Sequence, residues 1–236
     1  MIGIVVPAHN EEGVIVDCLA CIQRCARHPQ LLGEPVEVVV VADACTDETR
    51  ALAVRQGVVA MAIDARNVGR ARATGAQLLL SGGARWLAFA DADTLVSDRW
   101  LVERLALEAE AVCGTVAVED WTPHGEHADL LRWHFGETYT DADEHRHVHG
   151  GNLGISAAAY LRVGGFKELA CSEDVALVEA LKAAGVRIAW SARPRVTTSA
   201  RRAARASGGF ADALIQAVNR RLQAALLGAT ATVAAA

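Results

Sequence analysis

Residues 36–57 read VEVVVVADACTDETRALAVRQG. Two periods meet in this stretch. Apart from Glu37, residues 36–42 are apolar and mostly β-branched, and the run stops at Asp43. That is the composition of a strand buried on both faces. From Thr46 the pattern becomes helical: Thr46 or Asp47 can cap, acids fill the first turn, and Gly57 ends the segment. An apolar strand feeding a capped helix is one unit of a mainly parallel α/β sheet.

The unit repeats in both directions. Upstream, IGIVVP (2–7) reads as a strand. Residues 11–27 carry Val14, Ile15, Cys18, Leu19, Ile22 and Cys25 at helical spacing. Downstream come a strand VVAMAI (58–63), a helix GRARATGAQLLLSGG (69–83) and a strand RWLAFAD (85–91). DRWLVERLALEAEAV (98–112) reads as an amphipathic helix. Beyond residue 113 the alternation loosens. ADLLRWHFGETYTD (128–141) looks helical, HRHVHGGNLGIS (145–156) reads as a His-rich strand, and SEDVALVEALKAAGVRIAW (172–190) as a helix and a strand. An Arg-rich tail follows from Ser191, helical from about Phe210. The expected fold is α/β and doubly wound, a single domain.

The totals fit such a domain and exclude other classes. The chain has 236 residues, 52% hydrophobic and 22% charged, a globular composition. A net charge of -5 and only 5% aromatics argue against a nucleic-acid partner. No secretory leader is expected, because the N-terminus lacks a basic start and its apolar run stops at Pro7. No segment reaches the roughly 18 apolar residues of a membrane span. The C-terminal LQAALLGATATVAAA (222–236) comes nearest. It reads as a helix end and tail, leaving peripheral membrane contact open. Cys18, Cys21 and Cys25 share one helix face, and packing there is favoured over a metal cluster because no second CxxC completes a site. The cysteine usage suits a reduced, cytoplasmic protein.

In sheets of this kind ligands bind beyond the carboxyl ends of strands. Pro7–Glu12, Asp43 and the pair Asp91 and Asp93 all fall there. Two acids at the end of the apolar strand AFADADT need solvent or a shared cation. The first turn, PAHNEEG, lacks GxGxxG, which excludes a dinucleotide fold of that type, and no GKS or GKT marks a P-loop. DADT approaches the DxDxT nucleophile motif of haloacid-dehalogenase phosphatases, but Thr94 follows Asp93 directly and the motif trails the fourth strand, not the first.

Taken in order, the motifs resemble the inverting glycosyltransferases of family 2. VVPAHNEEGVI resembles the family's opening strand and turn, VVVADACTDETR its VVDDGSTDGT motif, and NVGRARATG its Ala-Arg-Asn-x-Gly stretch. FADADT is similar to its DXD strand end, GGNLGISAAAYLRVGGF to its Gly-x-Asn segment, and SEDVALVEALKAAGVRI to its Glu-Asp motif. The resemblance covers residues 2–190. It implies a GT-A-type fold with a nucleotide-binding half (1–112), an acceptor-side half (113–205) and a C-terminal helix and tail (206–236).

It also implies a divalent-metal-dependent, inverting transfer of sugar from a nucleotide-diphosphate sugar to an acceptor hydroxyl. The cofactor would be Mg or Mn. Pro7, Ala8, Glu11, Asp43, Arg72 and Asp91 would bind the donor, with Asp43 reading the base. Asp93, with Asp91, would hold the metal. Asp174 would be the catalytic base and Glu173 its companion. Ser172 with those two acids also makes a helix start. Gly151 and Asn152, after Gly150, would meet the acceptor. Two features depart from the family. No His follows the Glu-Asp helix; Arg193, Arg195, Arg201 and Arg202 stand in that region and could steady diphosphate charge. His145, His147 and His149 alternate on one face, and acceptor or phosphate contact, or plain exposure, is favoured over a zinc site. The competing readings are a non-catalytic nucleotide-sugar or glycan-binding module and, further off, the phosphatase.

Overall fold

The computed structural model describes residues 1–202 and 215–216. The helix expected from about Phe210, apart from Ile215 and Gln216, and the C-terminal apolar run lie outside the described residues. Strands β1 (Ile2–Ala8), β2 (Val36–Asp43), β3 (Val59–Ile63) and β4 (Trp86–Ala90) alternate with helices α1 (Ile15–Ala26), α2 (Thr49–Arg55) and α3 (Val68–Ser81). These are the units expected from the sequence. Every residue of β1 and β4 is buried. That is why these strands carry apolar residues without alternation. The short β5 (Leu95–Val96), α4 (Trp100–Leu105), β6 (Ala111–Ala117), α5 (Ala128–Thr138), β7 (Asn152–Ser156), α6 (Ala157–Arg162), α7 (Glu173–Ala183) and β8 (Ile188–Thr197) follow.

The sheet order is β3-β2-β1-β4-β7-β6-β8-β5. The four N-terminal strands pair parallel, β3 with β2, β2 with β1 and β1 with β4. β7 then runs antiparallel to both β4 and β6, and β5 antiparallel to β8, while β6 and β8 pair parallel. The sheet is therefore mixed, where a mainly parallel one was expected. The long return between β6 and β7 reverses the chain, and strand composition carries no signal for direction.

Other boundaries also moved. The helix expected over 98–112 stops at Leu105, and β6 begins at Ala111. Glu108 turns the chain with φ 49°. AVCGTVA pairs on both sides in the sheet and is almost wholly buried, so tertiary pairing overrides the helical period. The His-rich stretch is not a strand; β7 starts only at Asn152. Residues 191–197, read as tail, are the second half of β8, with Arg193 and Arg195 exposed and Ser191, Pro194 and Val196 buried.

The described residues divide into two compact units, 1–117 with 141–198, and 118–140 with those from 199 on. The first unit holds the sheet and a core including Val5, Val39, Val41, Leu79, Leu87, Phe89, Leu153, Ile155 and Leu181. α3 lies on it through Gly75, where a Cβ would sit 2.6 Å from Val5 Cγ1. Asn67 caps α3, its Oδ1 accepting the Arg70 amide at 2.8 Å. The second unit packs Trp121, Leu131 and Ala200 with Val118, Ala128 and Phe135. Among the described residues no helix is long and apolar enough to cross a membrane.

Candidate active site

The first loops are stitched together by short polar links. Pro7 and Ala8 pair with Val41 and Ala42 inside the sheet and are buried, so only their backbone can reach a ligand. Glu11 is buried; its amide donates to Thr49 Oγ1 at 2.7 Å and its carbonyl starts α1 by accepting from Val14 and Ile15. Asn10 Oδ1 accepts the Thr46 amide at 2.8 Å, and His9 Nδ1 lies 2.7 Å from the Asp43 carbonyl.

Asp43, buried at the end of β2, uses its carboxylate locally. Oδ1 accepts the amides of Ala65 and Arg66 at 2.7 and 2.8 Å, and Oδ2 the amide of Asn67 at 2.7 Å. Arg66 adopts φ 49° within that wrap. A carboxylate has about four acceptor positions, so three are filled by the loop that leads into α3. Asp43 is first the anchor of that loop.

The acids of the DXD and Glu-Asp stretches meet around one guanidinium. Arg72, on α3, is buried with 4% of its surface exposed. Its Nη2 donates to Asp91 Oδ1 at 2.7 Å and its Nη1 to Glu173 Oε1. Phe166, from the GGF turn, lies under the guanidinium with its ring centre 5.6 Å from Cζ. Burial works against the guanidinium charge, but Asp91, Glu173 and Asp174 outweigh it and raise the Arg72 pKa. For Glu173 burial is the larger influence and lifts its carboxyl above the usual range, against the pull of Arg72. Both terminal nitrogens of Arg72 are thus engaged by carboxylates inside the protein.

The turn at Gly150 and Gly151 closes over this cluster. The Gly150 amide donates to Asp174 Oδ2 at 2.7 Å. A Cβ on Gly150 would lie 2.5 Å from Arg72 Nη1, and one on Gly151 2.4 Å from Asp91 Oδ2. Only glycine lets the backbone approach so closely. Asp174 Oδ1 also accepts the Val175 amide at 2.8 Å. Ser172 stands at the N-cap of α7, its carbonyl accepting the Ala176 amide at 3.0 Å, but with φ 58° its side chain makes no cap bond.

Asn152 is the clearest departure. It is fully buried, and its side chain is spent on the interior. Oδ1 accepts from Trp100 Nε1 at 2.9 Å and from Arg104, while Nδ2 donates to the carbonyls of Thr115 at 2.7 Å and Pro194 at 2.6 Å. An amide has two donors and two acceptor positions, so none remains for an acceptor substrate. Asn152 joins β7 to α4, β6 and β8. Among the described residues Arg104 beside it has no carboxylate partner, and burial pushes its pKa down to about 9.

The three histidines form a column: ring centres of His145 and His147 are 5.6 Å apart, those of His147 and His149 6.1 Å. His145 is buried, with Nε2 at 3.1 Å from the Cys113 carbonyl. Burial, then His147 and His145, push the His149 pKa down to about 4, against the attraction of Asp91.

Among the described residues no three His, Cys, Asp or Glu side chains gather as a metal site. The donor set still suits a hard cation that takes one or two carboxylates and completes its shell with phosphate and water, as Mg does. Asp93 is half-buried on the turn that Thr94 closes back to the Asp91 carbonyl at 3.0 Å. Asp91 Oδ2 faces Gly151. Cys18, Cys21 and Cys25 are free and buried on α1, packing as small apolar residues. A cleft of about 1020 Å³ runs along α2 and β3 and includes Cys45, Asp47, Arg50 and Arg66, but none of the clustered acids. The chemistry, not the cleft, locates the candidate site. The links through Thr49, Phe166 and Arg104 had no sequence signal, because each joins segments far apart in the chain.

A family model described as Glycosyl transferase family 2 matches residues 3–164. Among solved structures, the chain is similar to S. aureus TarS 1-349 in complex with UDP-GlcNAc, at 15% identity and TM-score 0.63, covering 89% of this chain and 61% of that one. It is also similar to the mannosyltransferase PcManGT from Pyrobaculum calidifontis in complex with GDP-Man and Mn2+, at 19% identity and TM-score 0.61, covering 83% and 56%. These likenesses show a shared fold, the GT-A type with a mixed sheet. The chain spans less than two thirds of the length of either structure. No curated protein matches it.

Proposed function

The chain belongs to glycosyl transferase family 2, and from that premise we propose that it moves a sugar from a nucleotide-diphosphate sugar to an acceptor hydroxyl, with inversion, and depends on a divalent cation. The observation that carries this reading is the Gly150–Gly151 turn. One glycine bonds Asp174 and the next lies against Asp91, so the carboxylates expected on the donor and acceptor sides are brought to one place.

In this reading Asp174 is the base. Its two oxygens are oriented by the Gly150 and Val175 amides. As the acceptor oxygen bonds to the anomeric carbon, Asp174 takes its proton, and the bond from that carbon to the diphosphate oxygen breaks with its electron pair leaving on the diphosphate. One displacement inverts the anomeric centre. Asp93, with the Gly151-facing oxygen of Asp91, would hold Mg or Mn; when bound, the cation neutralises charge on the departing diphosphate. Pro7 and Ala8 would border the nucleoside through backbone groups, with Glu11 fixing that loop and Asp43 offering its one open acceptor position to the base. Gly151 would meet the acceptor or the sugar.

That one solved relative carries GDP-Man and Mn2+ supports a cation in this role. Six free cysteines support a reducing compartment such as the cytoplasm. The test is Asp174→Asn, assayed for release of nucleotide from UDP- and GDP-sugars with Mn2+. Turnover should fall at least about 10²-fold, the usual scale for losing a general base, with nucleotide affinity kept. Unchanged turnover would remove Asp174 from the chemistry.

A further inference from the structure

We propose that Arg72 is a positioning residue that fixes the donor-side carboxylate Asp91 relative to the acceptor-side base Asp174. The proposal rests on the transferase reading above and gives Arg72 a task other than holding the nucleotide.

The geometry is that of a three-way clamp. One nitrogen of the guanidinium holds Asp91 at the end of β4, and the other holds Glu173 in the first turn of α7. Asp174 is the next residue of that turn. The Gly150–Gly151 backbone covers the guanidinium, touching Asp174 on one side and Asp91 on the other. Phe166 closes the face beneath. Gly69, one turn before Arg72 on α3, is also pressed against Glu173, whose Cγ would be 3.1 Å from a Cβ there. The planar fork is thus held at both terminal nitrogens and covered by Phe166 and the glycine turn. A buried cation between two carboxylates on separate elements need not add stability, since desolvation offsets much of its attraction. What it does supply is fixed geometry, because the planar guanidinium sets the angle between the two donors that hold the acids.

The chemical consequence is a distance. In a single displacement the leaving group, the anomeric carbon and the attacking oxygen must be in line. A misplacement of about 1 Å can cost about 10²-fold in rate. Asp91 serves the leaving side and Asp174 the attacking side. Arg72 touches neither reacting group, yet it sets the separation between them. Its loss should therefore appear in kcat and much less in donor affinity.

The experiment compares the wild type with Arg72→Lys, Arg72→Gln and the double variant Arg72→Gln with Glu173→Gln. Thermal midpoints, Mn2+-dependent UDP and GDP binding, and kcat and KM for hydrolysis of UDP- and GDP-sugars are measured on each. The double variant removes the buried acid with its cation, so it guards against a misfolded single variant. The expected result is a double variant that melts near the wild type and binds nucleotide within about threefold, with kcat at least about 10²-fold lower. Arg72→Lys, with a charge but no fork, should fall between. A folded double variant with wild-type kcat would overturn the proposal, as would losses of affinity and kcat in equal measure. A wild type that neither binds nucleotide nor hydrolyses any donor would instead remove the transferase reading, and this proposal with it.

Discussion

The Asn152 carboxamide holds Trp100, Arg104, Thr115 and Pro194 at once, in a place with no exposed surface. Truncating it would strand two buried carbonyls, an indole N–H and an arginine that already lacks a carboxylate. Each buried group left unpaired costs about 1–3 kcal/mol. Asn152→Ala is therefore expected to lower stability by about 3 kcal/mol or more, read by denaturant unfolding. A change in acceptor use with unchanged stability would point the other way. The sequence marked Asn152 as special but misread why: a Gly-x-Asn turn looks the same whether the amide faces a ligand or the core. Asp43 and Arg72 show the same limit on reading partners. Both types and places were legible from the motifs, but their partners lie tens of residues away. The DXD and Glu-Asp acids stand out locally, as charge at an apolar strand end or a helix start, and their roles remain a proposal.

Elements were legible where one period held for the whole segment. The first three βα units needed only the change from continuous apolar residues to helical spacing. α4 and β6 were fused because LVERLALEAEAV keeps a helical pattern across the turn at Glu108, and only the neighbours of β6 reveal a strand. The contact of α3 with the sheet gives the clearest test at this scale. Alanine normally gains about 1 kcal/mol over glycine inside a helix. At Gly75, however, the new methyl would meet Val5 at 2.6 Å and Val41 at 3.1 Å. Overpacking of that kind costs about 1–3 kcal/mol, so Gly75→Ala should destabilise by about 1 kcal/mol net. Among the described residues Gly136 on α5 has nothing within 4 Å of a Cβ, and the same change there should stabilise. Thermal melts of the two variants should move in opposite directions; a shared direction would contradict the packing described.

At the scale of the whole molecule, a single sheet carries strands from both sides of residue 112, which itself lies inside β6. The nucleotide and acceptor halves remain a proposal about use, and the strand directions behind them were not legible, because parallel and antiparallel strands share a composition when both faces are buried. What the sheet order achieves is adjacency. β4, which Asp91 directly follows, pairs with β7, which begins just after the turn touching Asp174. The central claim is that this edge binds a nucleotide diphosphate through a cation held by the DXD acids. The most direct measurement is calorimetric titration of UDP and GDP, with and without Mn2+, into the wild type and Asp93→Ala. The account predicts binding of one nucleotide that requires Mn2+ and is weakened at least about tenfold in the variant, a loss of about 1.4 kcal/mol. Binding unaffected by metal and by Asp93→Ala, or no binding by either nucleotide, would contradict it.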